Sequence, residues 1–146
     1  MEWTRDGFVI STDRERLDRP AIHAFLRNSY WAKEIPREVV DRSIENALCF
    51  GVYEGSKQVG FARVISDLAT FAYLGDVFIV ESHRGRGLSK WLMEVIRGHP
   101  DLQGLRRWSL ATRDAHSLYE RFGFHRPANP DRLMEIVDMD IYRRKT

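Results

Sequence analysis

This chain is nearly without cysteine: Cys49 is the one thiol in 146 residues. A single thiol excludes an internal disulfide and any zinc site built on several thiolates, and it suits a reducing compartment. No stretch approaches the eighteen or so apolar residues that a membrane-spanning helix needs. The opening residues, Met1-Glu2-Trp3-Thr4-Arg5-Asp6, lack the apolar core of a signal peptide, so the expected location is cytoplasmic, with no membrane partner. Neither sign of charge dominates, since 23 basic side chains face 21 acidic ones for a formal net charge of +2. Charges are interspersed apart from Arg143-Arg144-Lys145, a balance that argues against a general nucleic-acid binder. Low-complexity tracts, internal repeats and linkers are missing too. The expectation is one domain over residues 1–146, long enough to bury roughly two-thirds of its unfolded surface without a covalent staple. His23, His83, His99, His116 and His125 are not spaced as a ligand set, so no metal is expected.

The strongest local feature is Arg84-Gly85-Arg86-Gly87-Leu88, between the apolar run Asp76-Val77-Phe78-Ile79-Val80 and a stripe of helical spacing that begins at Leu88. A strand that breaks at glycines and restarts as a helix leaves unpaired backbone N–H groups at the helix mouth. Glycines allow close approach of an anion, the helix dipole adds partial positive charge, and Arg84 and Arg86 add full charges. A diphosphate is the ligand this pattern fits. The Gly-Lys-Ser/Thr ending of a P-loop is absent.

Around that turn the periodicities alternate. Residues 8–11 read as a first strand. Ile22, Phe25, Leu26 and Ser29 fall at helical offsets behind Asp18 as N-cap and Pro20 in the first turn. Val40, Ile44, Ala47 and Leu48 repeat the pattern after Pro36, leaving Tyr30-Trp31-Ala32-Lys33 as a loop. Residues 48–54 and 57–66 are rich in β-formers, and Gly55-Ser56 suits a two-residue hairpin turn. A strand follows over about 74–80. Leu88, Trp91, Leu92, Val95 and Ile96 then make the clearest helix, with a left-handed Gly98 and Pro100 expected to end it. Residues 107–112 read as a strand. Ala115, Leu118, Tyr119 and Phe122 share a face of a short helix that Gly123 stops. Phe124 and residues 133–137 suggest a closing pair of strands around the Pro127 to Pro130 loop. Strands and helices sharing one core give an α/β (α+β) fold.

The order of these elements, the glycine turn opening the third helix, and Ala115-His116-Ser117-Leu118-Tyr119-Glu120-Arg121-Phe122-Gly123-Phe124 about thirty residues later together resemble the GNAT N-acetyltransferases. The resemblance implies a central mixed, mostly antiparallel sheet of about six to seven strands flanked by about four helices. It implies that backbone N–H groups of Arg84, Gly85, Arg86, Gly87, Leu88 and Ser89 hold the pyrophosphate of acetyl-CoA, with Phe78, Ile79 and Val80 offering a strand edge to its amide arm. Thr112 stands where many members have Asn on that arm, and Ala115 lies beside it. Ser82 and Ser89 also depart from the family pattern. Tyr119 matches the tyrosine that donates a proton toward the departing thiolate. By helical spacing alone, on a face with Ala115, Leu118 and Phe122, such a tyrosine is more often a packed core residue. The family's acceptor site brings Tyr30, Trp31, Lys33 and Glu34 toward the thioester.

An acceptor amine must lose a proton, and Asp76, flanked by Gly75 and apolar residues where partial burial would raise its pKa, is the candidate base. Its alternative is a local backbone bond at a strand start; Asp67 and Glu34 are the fallbacks. His83, within the phosphate turn, could assist Arg84 when protonated. The reading is an acetyl-CoA-dependent N-acetyltransferase acting on a primary amine. A catalytically silent CoA-binding sensor or scaffold is the alternative, and a phosphate binder using Arg84, Arg86, Arg106 and Arg107 a third. No nucleic-acid partner is expected. Homodimers are common among relatives, but no interface is legible here.

Overall fold

The computed structural model describes residues 1–144. Its centre is a six-stranded sheet in sequence order: β1 (Glu2–Arg5), β2 (Phe8–Ser11), β3 (Leu48–Glu54), β4 (Lys57–Ser66), β5 (Phe71–Ile79) and β6 (Arg107–Leu110). All neighbours are antiparallel except β5 and β6, which run parallel. The first hairpin turns at Asp6-Gly7, both at positive φ (52° and 84°), as a mirror-image type I turn requires. Strand β1 was not expected, because its mostly exposed Glu2-Trp3-Thr4-Arg5 shows no alternation. In the β3–β4 hairpin Gly55 sits at φ 58°, a conformation that costs glycine nothing.

Helices cover both faces of the sheet. Helix α1 (Arg19–Arg27) starts where the Asp18 carboxylate accepts the Ala21 N–H at 3.1 Å. Helix α2 (Arg37–Glu45) follows Pro36. Both pack Ile22, Leu26, Val40 and Ile44 against Cys49, Phe61 and Phe78 of one sheet face. On the other face, α3 (Leu88–Gly98) buries Trp91, Leu92 and Ile96 against Phe50, Val52, Ala62 and Val64. Alternate residues of β3 and β4 therefore serve opposite cores, as the two-residue period of a strand dictates. No helix among the described residues is long and apolar enough to cross a membrane.

Two sequence expectations are corrected. Gly98 is not left-handed: it is the last helical residue of α3, and the chain leaves through an extended His99 (φ −62°, ψ 132°) ahead of Pro100. The closing pair of strands is also absent. After α4 (His116–Glu120) and Gly123 at φ 95°, residues 124–144 form only turns and single-turn helices. Pro127 and Pro130 lack amide donors for a ladder, and residues 133–137 find no strand to pair with.

One irregularity sets up the site. Phe61 pairs with Phe78 but Arg63 with Gly75, so Ala62 of β4 opposes two residues of β5, Asp76 and Val77. Asp76 stands at φ 54° within the strand, a left-handed conformation that bends a bulged strand. Beyond this bulge β5 has left β6, whose pairing ends at Leu74↔Leu110. From Gly75 to Ile79 the β6-side edge of β5 is open.

Candidate active site

At the end of that open edge lies the glycine turn. Gly85 (φ 79°) and Gly87 (φ 76°) are both left-handed, and Gly87 is the N-cap of α3. The first bond into the helix runs from the Trp91 N–H to the Gly87 carbonyl at 3.0 Å. The amides of Leu88, Ser89 and Lys90 are therefore left without intrahelical partners, an anion site by construction. A Cβ at Gly85 or Gly87 would meet nothing within 4 Å, so the space before the turn is free. Arg84 donates through Nε to the Ile79 carbonyl at 3.0 Å, fastening the turn to the end of β5. Among the described residues Arg86 reaches only to Glu54, at 3.9 Å.

His83 does not join the phosphate turn. It is buried, with Nε2 at 3.1 Å from the Glu54 carboxylate and Nδ1 at 2.8 Å from the Ser82 hydroxyl. That contact holds the Glu54 carboxyl below its ordinary range. The Ser82 hydroxyl is thereby engaged away from the turn.

The strand edge is more selective than expected. The Val80 N–H donates to the Val59 carbonyl at 2.9 Å. Antiparallel pairs alternate between bonded and non-bonded positions, so Phe78 also turns its backbone toward β4, where it pairs with Phe61. Ile79, between them, faces the open edge, consistent with the Arg84 bond to its carbonyl.

Tyr119, on α4, lines a groove beside β6 together with Thr112 and His116. Its ring is buried in the α3-side core and meets Phe124 edge-on at 5.9 Å. Burial first, then the neighbouring Tyr30 and Asp114, push its phenol up to about 12. Thr112 and Ala115 set the helix start: the Thr112 hydroxyl accepts the Ala115 N–H at 3.0 Å, and the Ala115 carbonyl accepts from Leu118 and Tyr119. Thr112 keeps its O–H to donate.

The α1–α2 loop forms an aromatic wall. Tyr30 and Trp31 meet edge-on at 5.1 Å, and Phe25 stacks on Phe78 at 3.8 Å. Arg113 lies over the Tyr30 ring at 3.8 Å, and its N–H donates to the Tyr30 hydroxyl at 3.3 Å. Trp31 donates through Nε1 to Asp76 Oδ1 at 2.9 Å, while Arg63 Nε meets Oδ2 at 2.8 Å. The candidate base thus holds the wall in place and carries an ion pair.

The fallbacks fare less well. Asp67 accepts the amides of Ala69, Thr70 and Phe71 and the Thr70 hydroxyl, which hold it well below the ordinary carboxylate range. It is a turn-former. Glu34 is exposed, 3.6 Å from Arg143. Sequence reading missed Arg63, Phe25 and Arg113; the signal for Arg63 was a lone charge inside the run Phe61-Ala62-Arg63-Val64-Ile65.

Comparison with known proteins bears on the family. Residues 45–126 match the family model described as "Acetyltransferase (GNAT) domain". The Gibberella zeae protein named "Putative acetyltransferase FG08082" is 33% identical over 142 residues, covering 82% of this chain and 79% of that one. A crystal structure of a GNAT-family protein of Xanthomonas campestris pv. campestris is 54% identical with a TM-score of 0.92, over 95% of this chain and 99% of that one. An acetyltransferase structure from Clostridium acetobutylicum, solved with acetyl-CoA, is 12% identical with a TM-score of 0.63 over 89% and 94% of the chains, a likeness of fold alone. The glycine turn, the open edge and the matched domain coincide, and the chain belongs to the GNAT acetyltransferase family.

Proposed function

We propose that the protein transfers an acetyl group from acetyl-CoA to a primary amine by direct attack. The observation that carries this reading is the left-handed Gly85/Gly87 turn at the mouth of α3, tied by Arg84 to the end of the open β5 edge. The amides from Gly85 to Ser89 suit a pyrophosphate, and Arg84 and Arg86 add charge. The Ile79 N–H is the donor placed to stabilise the oxyanion that forms when an amine attacks the thioester carbonyl. Phe78 and Val80, bonded toward β4, serve as its frame.

Tyr119 is the donor to the departing sulfur. Burial holds the phenol near 12, above the pKa of the departing thiol, so full proton transfer from it is unfavourable. The role that fits is a hydrogen bond that steadies the thiolate as the C–S bond breaks, with the proton arriving from the positively charged nitrogen of the tetrahedral intermediate. Asp76 is the carboxylate that draws the amine's proton, directly or through water. Tyr30, Trp31 and Phe25 frame an acceptor with an apolar portion beside the amine.

Release of free thiol from acetyl-CoA, followed with a thiol reagent while an amine library is added, tests the reading. Amine-dependent release supports it. Tight acetyl-CoA binding with no release under any amine would make the protein a silent CoA-binding module instead.

A further inference from the structure

The Arg63 guanidinium is largely buried, yet most of its donors are unspent. Its side chain is 18% exposed, and Nε donates to Asp76 Oδ2 at 2.8 Å. Asp76 Oδ1 is taken by the Trp31 indole, so the two-pronged pairing that Arg often makes with a carboxylate is not formed. Among the described residues the η nitrogens of Arg63 donate to no protein group. The one side-chain polar atom there that is both sealed and unpartnered is the Tyr53 hydroxyl, so these nitrogens reach solvent. A guanidinium carries five N–H donors in a rigid fork, and one set this deeply needs partners for them. Gly75, opposite Arg63 in the ladder, keeps the fork uncovered: a Cβ there would lie 3.9 Å from Nη2 and 3.5 Å from the Tyr73 ring.

The register of β5 places this fork relative to the chemistry. Behind Ile79, the proposed oxyanion donor, come Phe78 under the Phe25 ring, the Asp76 bulge, Gly75 with Arg63 across from it, and Tyr73 paired with Ile65. Phe61, Arg63 and Ile65 share one face of β4, as Phe71, Tyr73 and Gly75 share one face of β5. The helices cover Phe61, but Ile65 and Phe71 on the same face are 42% and 38% exposed. A ligand lying along this face meets a carboxylate first, then a guanidinium with free donors, then an apolar floor.

We propose that the acceptor is a free amino acid, its carboxylate held by the η nitrogens of Arg63 while its amine stands at Asp76. The assignment rests on the acetyltransferase reading and narrows the acceptor from amines in general to those with a carboxylate a few bonds from the nitrogen. One guanidinium separates the two polar contacts, which matches the short span of an α- or β-amino acid. The Arg63–Asp76 pair is the complement of a zwitterion, Asp76 facing the ammonium and Arg63 the carboxylate. A monoanion suits the fork because Arg63 already balances Asp76; a phosphate dianion would leave net negative charge in a partly buried site. The acceptor's side chain then lies over Tyr73, Ile65 and Phe71. Transfer forms the N–C bond and breaks the C–S bond, the nitrogen gives up a proton and the CoA sulfur gains one, and the product is an N-acetylamino acid.

Matched acceptors test this. Thiol release from acetyl-CoA is measured with the primary-amine α-amino acids and β-alanine, each beside its own carboxamide. At least one acid is expected to exceed its amide about tenfold or more in kcat/KM, the worth of a charge-assisted bond. Arg63→Lys keeps a charge beside Asp76 but loses the fork. It is expected to raise KM for that acid about tenfold more than for its amide, with KM for acetyl-CoA unchanged, whereas a purely structural role would lower both acceptors alike. Ligand-observed NMR of the same pairs against the CoA-bound protein reads recognition without turnover. Release that is equal for acids and amides, or greater for amides, overturns the proposal and leaves an acetyltransferase of other amines. Acid-selective binding that is lost in Arg63→Lys, with no release from any pair, upholds the carboxylate site and sinks the transferase reading. Neither release nor selective binding, or an acid preference undiminished in Arg63→Lys, overturns the site.

Discussion

The Trp31 indole N–H donates to the Asp76 carboxylate at 2.9 Å across 45 residues of sequence. This bond pins the α1–α2 loop to the one left-handed residue of β5, and the 2.8 Å Arg63 contact completes it with a charge from the neighbouring strand. Asp76→Asn separates holding the wall from taking the proton, because an amide oxygen still accepts the indole hydrogen and Asn tolerates a left-handed φ. The expected result is a folded protein less stable by about 1–3 kcal/mol from the lost charge-assisted bond to Arg63. Turnover is expected to fall about 100-fold. A variant that keeps its turnover would leave Asp76 as a positioning residue for Trp31 alone.

Tyr119→Phe removes one hydroxyl and leaves the ring packing against Phe124 intact. Turnover is expected to fall at least tenfold with acetyl-CoA affinity unchanged, measured by steady-state kinetics and by titration calorimetry. The wild-type pH–rate profile is expected to show no alkaline limb from this group below about pH 11, because burial holds the phenol near 12. An alkaline limb between pH 8 and 10 that disappears in the Phe variant would show a phenol acting as a matched general acid instead.

The legibility of this chain follows the range of the interactions. Helix α1 was readable from Asp18 and Pro20, the β3–β4 hairpin from its alternation and Gly55, and α3 with its mouth from Arg84 to Leu88, because each is written within a few consecutive residues. Family motifs carried Tyr119. What stayed hidden depends on partners distant in sequence. Residues 71–73 extend β5 because β4 and β6 lie on either side of it, and the Arg63–Asp76–Trp31 cluster joins two strands and a loop. The strand expected over 133–137 has suitable residues but no pairing edge in its own sheet, since residues 134–141 run outward between anchors at Leu133 and Tyr142.

Alkaline pH is expected to destabilise the fold before any catalytic group titrates. Burial pushes the Cys49 thiol up to about 11 and the Tyr53 phenol to about 12. The unfolded chain releases these protons near 9 and 10, so it binds fewer protons than the native state in that window and stability falls as pH rises. The Cys49 contribution is present in full below pH 9 and is lost as pH passes through about 11, an effect on the order of 2–3 kcal/mol. Denaturant melts of wild type and Cys49→Ala from pH 7 to 11 check this. The variant starts less stable but is expected to show a shallower decline between pH 9 and 11; parallel declines would remove Cys49 as the cause.

Gly87 tests the phosphate grip most cleanly, because its substitution introduces backbone strain without a clash. At φ 76°, with nothing within 4 Å of the position a Cβ would take, Gly87→Ala costs about 1–2 kcal/mol in the left-handed conformation. The chain can avoid this only by turning the α3 mouth away from its anion-binding geometry. Gly87→Asn, whose side chain tolerates that region, is expected to lose less. Binding of acetyl-CoA, by calorimetry, is expected to weaken about tenfold in the Ala variant and less in the Asn variant. Acetyl-pantetheine, which carries the same thioester arm without the pyrophosphate, is expected to bind all three proteins equally. If the Ala variant lost affinity for both donors alike, the turn would be shaping the whole opening rather than gripping the diphosphate, and the anion reading of the Arg84-Gly85-Arg86-Gly87-Leu88 turn would fall.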